Sequence, residues 1–256
     1  MFILLSPAKS LDYKSDISQK NFTIPHFKKE TENLAKSLKK FSAFDLEKLM
    51  AISKKLAELN FERFQNFSPQ FDLKNSKQAL LVFDGDVYQP IEKENFSAAD
   101  FDFAQKNLRI LSGFYGLLRP LDLIQPYRLE MGTDFKKTSV GIKNLYEFWG
   151  DKISDHLDLE CKNAGTKHVI NLASEEYFAA INPKKISAKI INIVFKENKN
   201  GVYRIIGINA KKARGLMTNF IIRNKISAPN DLKKFKIENY NFEKDLSNES
   251  NFTFVR

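Results

Sequence analysis

A mixed α/β (α+β) fold is what this sequence predicts, built as one compact domain over residues 1–256. Three observations predict it. Short apolar runs that read as buried strands alternate with stretches of helical periodicity. No internal repeat, low-complexity block or clear linker divides the chain. Its 256 residues, 43% hydrophobic and 28% charged, are enough to bury a sizeable core.

Phe2–Ser6 opens the chain as a buried strand, and Ser6-Pro7-Ala8-Lys9 breaks it. Phe22–Pro25 reads as a linker. From Phe27 to about Phe67, apolar residues recur at helical spacing: Leu34, Leu38 and Phe41, then Leu46, Leu49 and Met50, then Leu56, Leu59 and Phe64. Ser42 and Ser53 are the expected helix starts. Gln78–Phe83 reads as a second buried strand, ended by Asp84-Gly85-Asp86. Ser97-Ala98-Ala99-Asp100 has capping-box spacing ahead of a helix over Asp100–Asn107. Leu145–Lys162 is helical, Lys167–Ala173 is a strand, and Ser174-Glu175-Glu176 starts another helix. Lys189–Phe195 and Val202–Ile208 are strands joined around Asn198-Lys199-Asn200-Gly201, a hairpin signal. Ala210–Asn224 is a helix, and Phe252–Val255 is a terminal strand.

Composition excludes a disordered chain, a collagen-like chain and a disulfide scaffold. No apolar run approaches the ~18 residues of a membrane span, and Met1–Pro7 is too short for a signal-peptide core. A membrane is therefore not an expected partner. Cys161 stands alone and cannot form an internal disulfide, so a reducing cytoplasm is expected. The 41 Lys and Arg exceed the 31 Asp and Glu by 10. The excess is uneven, because residues 162–236 hold 16 basic and only 4 acidic side chains. Such clustering attracts polyanions. Coding drift toward Lys is an alternative source, which leaves the eight Arg residues as the more informative cations.

Metal ligation is not expected. His26, His156, His168 and Cys161 share no ligand spacing. Nor is there a Gly-rich nucleotide loop. Ser6-Pro7-Ala8-Lys9 matches a two-letter acyl-transfer pattern, but no companion motif supports it. Instead, Ser6 and Lys9 are expected at the carboxyl edge of a sheet, where Lys9 either meets a phosphate or is solvated. Asp84 and Asp86 are read as a turn that pairs with arginines, with metal binding or acid–base work as the alternative. Leu108–Gly132 holds three glycines, two prolines and three arginines. Arg119 and Arg128 within it point either to a cleft or to carboxylates such as Asp84, Asp86, Asp122 or Glu130. Lys211, Lys212 and Arg214 crowd the expected start of a helix, where cations are disfavoured unless an anion joins them.

Ser6-Pro7-Ala8-Lys9-Ser10-Leu11-Asp12-Tyr13 resembles the opening signature of the YaaA family of peroxide-stress proteins. Gly85-Asp86-Val87-Tyr88, Leu118-Arg119-Pro120-Leu121-Asp122, Gln125-Pro126-Tyr127-Arg128-Leu129-Glu130-Met131-Gly132, Phe148-Trp149-Gly150-Asp151, Asn171-Leu172-Ala173-Ser174 and Ala210-Lys211-Lys212-Ala213-Arg214-Gly215 are similar to further family blocks, in the family's order. The resemblance implies a single domain of unusual topology with a basic cleft. It implies a cytoplasmic role in hydrogen peroxide stress, limiting free intracellular iron. It also implies binding of double-stranded or structured DNA, largely without sequence specificity, through a helix–hairpin–helix-like element. Leu111–Gly116 is the candidate hairpin, with Gly113 and Gly116 at its turn. The phosphate contacts then fall to Lys9, Arg119, Arg128, Lys211, Lys212 and Arg214, with Ser6, Asp84 and Asp86 as polar neighbours. No reaction, cofactor or metal site is implied, and a monomer is expected. The rival expectation is an enzyme that acts on a small phosphorylated or nucleotide-like substrate in the same cleft.

Overall fold

The first strand lies at the centre of the sheet in the computed structural model, which describes residues 1–15, 19–136, 138, 141 and 143–256. Strand β1 (Phe2–Leu5) leads to the short β2 (Ser10–Leu11) and helices α1 (Lys28–Leu38), α2 (Ala43–Met50) and α3 (Lys54–Gln65). Then come β3 (Lys77–Gln78), a single helical turn α4 (Ala79–Val82), β4 (Phe83–Asp84) and α5 (Ala98–Asn107). A hairpin of β5 (Leu108–Ser112) and β6 (Gly116–Leu118) precedes β7 (Leu123–Ile124), α6 (Leu145–Trp149) and α7 (Lys152–Asn163). The remainder is β8 (His168–Asn171), α8 (Glu175–Phe178), β9 (Lys189–Lys199), β10 (Val202–Arg204), α9 (Gly207–Arg223), β11 (Asn241–Phe242) and β12 (Asn251–Val255).

The main sheet runs β11-β12-β9-β8-β1-β5-β6, with β10 paired to β9. β1 is parallel to both neighbours, with Leu4 opposite Arg109 on β5 and Ile3 opposite Ile170 on β8. β8, β9 and β12 continue the parallel set, while β6 and β11 are antiparallel at the two edges. All four residues of β1 are buried, as a central parallel strand covered on both faces requires. From β1 the chain crosses to β5 on one side, then returns to β8 on the other. That reversal makes a switch point between β1 and β8, and ligands of open α/β sheets bind beyond the carboxyl ends of such strands.

Local sequence explains most boundaries. Ser42 caps α2 and Ser97 caps α5 by the same reciprocal device: the Ser hydroxyl accepts from the backbone N–H of Asp45 or Asp100 (3.2 Å in both), and that carboxylate accepts from the Ser backbone (2.9 and 2.8 Å). The β9–β10 hairpin turns at Asn200 and Gly201, both at positive φ, as the Asn-Gly pair foretells.

Three expectations need correction. Gln78–Phe83 is not a strand: its middle coils into α4, where Ala79 and Leu80 donate to the carbonyls of Asp122 and Pro120. A short run buried on every side has no period that separates strand from helix. Leu145–Lys162 is two helices, because Gly150, at φ +48°, ends α6. Helix α9 starts at Gly207, so Lys211 and Lys212 stand beyond its first turn and the crowding of cations at its start does not arise. Among the described residues, no helix is long and apolar enough to cross a membrane.

Candidate functional site

A pocket of about 630 Å³ opens at the switch point. The loop after β1 supplies Ser6 and Lys9, the turn after β4 supplies Asp84 and Asp86, the segment after β8 supplies Ser174, Glu175 and Glu176, and α9 supplies Lys211 and Arg214. These loops are tied together. The Ser174 N–H donates to the Ser6 hydroxyl (2.8 Å), and the buried Tyr88 hydroxyl donates to the Ser6 carbonyl (2.8 Å). β2 pairs with β4, with Ser10 opposite Asp84. Gly215 lets α9 lie directly on the backbone of Val87.

The expected site residues separate into groups. Ser6, Lys9, Asp84, Asp86, Lys211 and Arg214 do converge on this pocket. Arg119 does not line it. Its guanidinium holds the buried Asp122 carboxylate at 2.9 Å and donates to the Ile24 carbonyl at 3.1 Å. Arg128 is largely buried and shares Glu130 with Lys9, at 3.1 and 2.6 Å respectively. Lys212 does not line the pocket either: it pairs with Glu238 at 2.5 Å and lines a neighbouring cavity that shares Asp86. The carboxylates named as possible arginine partners thus divide: Asp122 and Glu130 pair with arginine, whereas Asp84 and Asp86 stay at their turn with no ion pair within 4 Å among the described residues.

The pocket is therefore of mixed charge. Lys9, Lys211 and Arg214 face Asp84, Asp86, Glu175 and Glu176. Among the described residues, Arg214 has no carboxylate within ion-pair distance. Burial draws its pKa down, and the negative charge of Glu175 acts against that shift. The sequence presents Glu175 and Glu176 as a helix start, with no site role assigned to either. Their position after the second central strand was the available signal, and it needed the sheet order to be useful.

Gly113 and Gly116 belong to no helix–hairpin–helix. They sit in the β5–β6 hairpin, and every residue from Leu108 to Leu118 is buried. A β-carbon on Gly113 would lie 2.6 Å from the Leu129 carbonyl, and one on Gly116 would lie 2.8 Å from the Trp149 ring. The Gly113 carbonyl accepts from the Trp149 indole at 3.0 Å. These glycines serve close packing and are sealed from any duplex.

Two helices joined by a tight turn occur elsewhere, at α2 and α3. Ala51 ends α2 in the left-handed region (φ 49°, ψ 52°), Ile52 is buried beneath the turn, and Ser53 precedes α3 with no side-chain capping bond. Ser53, Lys54 and Lys55 are exposed, and the first turn of α3 holds no acidic residue. Its free N–H groups and partial positive charge thus stand beside two ammonium groups. The serine before each helix was legible; that Ala51 takes a conformation usually left to glycine was not.

Of the histidines, His26 stacks on His156 with ring centroids 3.6 Å apart, while His168 lies on β8. Among the described residues, no three His, Cys, Asp or Glu side chains gather where a metal ion could be held.

A family model described as "Peroxide stress protein YaaA" matches residues 1–246. A UPF0246 protein of Acaryochloris marina is 50% identical over 256 residues, all of both chains. A central first strand, a loop after it that begins a mixed-charge pocket, and a likeness that runs nearly end to end agree: this chain belongs to the peroxide stress protein YaaA family.

Proposed function

We propose that this peroxide-stress protein binds duplex DNA through the phosphate backbone, without reading sequence, and that the α2–α3 hairpin is its footing. The observation that carries the reading is the uncapped start of α3, where Ser53, Lys54 and Lys55 are exposed and no carboxylate shares the turn. Backbone N–H groups at a helix start donate to a phosphate oxygen, and flanking lysines add the sequence-independent attraction that dominates non-specific affinity. Lys48 on α2 is a further exposed cation of the same hairpin, 4.0 Å from the exposed Phe44 ring. The net charge of +10 supplies long-range steering.

The cations first assigned to DNA are less suited to it. Arg119, Arg128, Lys9 and Lys212 each have a carboxylate partner, and the pocket that holds Lys211 and Arg214 contains four acidic side chains that repel a polyanion. The limiting of free iron that the family likeness implies is proposed to be indirect, with DNA as the partner and iron no ligand of the site.

The test is a fluorescence-anisotropy titration of a duplex of about 20 base pairs over a salt series. Wild-type affinity is expected to fall steeply with salt. Lys54→Glu with Lys55→Glu is expected to weaken binding at least about tenfold and flatten the salt slope by about two. Unchanged affinity in that variant, with the fold intact by circular dichroism, rejects the reading.

A further inference from the structure

The switch-point pocket has no part in backbone binding by the hairpin, yet it is the more elaborate construction. Its volume, about 630 Å³, lies within the range of sites that enclose a small ligand. Its lining carries both signs of charge. Lys211 and Arg214 on α9 have no ion-pair partner among the described residues, and a guanidinium drawn out of water without one favours a doubly hydrogen-bonded anion. Asp84 and Asp86 line the same pocket, together with Glu175 and Glu176. Ionised carboxylates only accept hydrogen bonds, so whatever meets them must supply donors such as hydroxyl or amino groups. Val87, Leu172 and Tyr177 add apolar surface to the lining.

The walls are also fixed in advance. Gly215 presses α9 onto Val87, the residue that follows Asp86. Tyr88 and Ser174 both anchor on Ser6. Preorganised groups of this kind spend little ordering entropy when a ligand arrives.

We propose that this pocket binds a single nucleoside monophosphate unit, with the phosphate on Arg214 and Lys211, hydroxyl or amino donors on Asp84 and Asp86, and the ring on the apolar strip. A phosphate alone leaves the carboxylates unused, and a duplex carries too much negative charge to approach them. The inference stands apart from the hairpin reading, since neither Lys54 nor Lys55 lines the pocket. One nucleotide arrives either free or as the 5′-phosphorylated end of a strand, and the chemistry recognised is the same.

The experiment is isothermal titration calorimetry on the full chain, with AMP as the probe and adenosine, inorganic phosphate and ribose 5-phosphate as its parts. AMP is expected to saturate one site, with each part at least about tenfold weaker. Lys211→Ala and Arg214→Gln are each expected to cost AMP at least about tenfold. Lys211 is exposed, so its variant tests the site even if the Arg214 variant misfolds. Lys54→Glu with Lys55→Glu is expected to leave AMP binding unchanged, which separates failure here from failure of the DNA reading. No saturable heat with AMP overturns the proposal, as does equal binding by phosphate or ribose 5-phosphate, or wild-type affinity in the folded Lys211 variant. A 5′-phosphorylated single strand that displaces AMP identifies the strand end as the source. A strand that fails to displace it identifies the free nucleotide, and either result supports the pocket.

Discussion

Gly215 of α9 lies so close to Val87 that a β-carbon at position 215 would stand 2.0 Å from the Val87 carbonyl oxygen. Nothing in that contact can yield cheaply, because the obstacle is backbone. Helix α9 and the Asp84–Val87 turn are thereby held at one spacing, and with them Arg214 and Asp86, which both line the pocket.

Gly215→Ala is expected to destabilise the protein despite the better helix propensity of alanine. Overpacking costs about 1–3 kcal/mol, against roughly 1 kcal/mol gained from replacing a mid-helix glycine. The shift in urea midpoint at constant slope reads the difference. A midpoint equal to or above wild type contradicts the contact.

Arg119→Ala is expected to harm folding and spare DNA binding. It strips the buried Asp122 of its guanidinium, leaving only the Thr23 hydroxyl and the backbone N–H of residue 119. Burial already pushes the Asp122 pKa up, with Arg119 opposing it. Removing one partner of a buried pair costs roughly 3 kcal/mol. Denaturant unfolding and a duplex titration on the same preparation separate the two effects. Wild-type stability with lost DNA affinity contradicts the assignment.

The Arg109–Glu160 pair offers a control away from both sites. Arg109 is buried, binds Glu160 in bidentate fashion at 2.7 and 3.0 Å, and lies 4.5 Å from the Phe2 ring centre. Glu160→Ala is expected to lower stability by about 3–5 kcal/mol and to leave AMP and DNA binding unchanged wherever the variant stays folded. The urea midpoint reads the first effect and the two titrations read the second.

His156 introduces a pH dependence. Burial holds its pKa down to about 4, with positive charge on His26, Arg109 and Arg119 reinforcing the shift and Glu160 opposing it. The unfolded chain binds this proton near pH 6.5. The stabilising contribution is therefore complete above about pH 6.5, declines as pH falls toward 4, and is lost below it. Its ceiling is roughly 3 kcal/mol. His156→Gln is expected to flatten the stability profile between those limits, read as urea midpoints at a series of pH values. An unchanged slope contradicts it.

What the sequence made legible follows the range of the interactions involved. Helix starts at Ser42 and Ser97 depend on residues three apart, and the β9–β10 turn depends on Asn200-Gly201, so each was readable locally. The convergence of Ser6, Lys9, Asp84, Asp86, Lys211 and Arg214 was foreseen in part, because strand ends collect polar residues. Pairings were harder. Arg119 and Arg128 announced a need for charge partners, but only the fold chooses Asp122 and Glu130 over phosphate. The glycines of the β5–β6 hairpin misled because tight packing and approach to a ligand demand the same absence of a β-carbon. Ala51 misled in the opposite sense, since a left-handed alanine carries no local mark.

The most direct measurement compares two double variants on one labelled duplex at one low salt concentration: Lys54→Glu with Lys55→Glu, and Lys211→Glu with Arg214→Glu. The account predicts that the hairpin variant loses affinity at least about tenfold while the pocket variant keeps it within about twofold. The reverse pattern, with the pocket variant unable to bind and the hairpin variant intact, contradicts it.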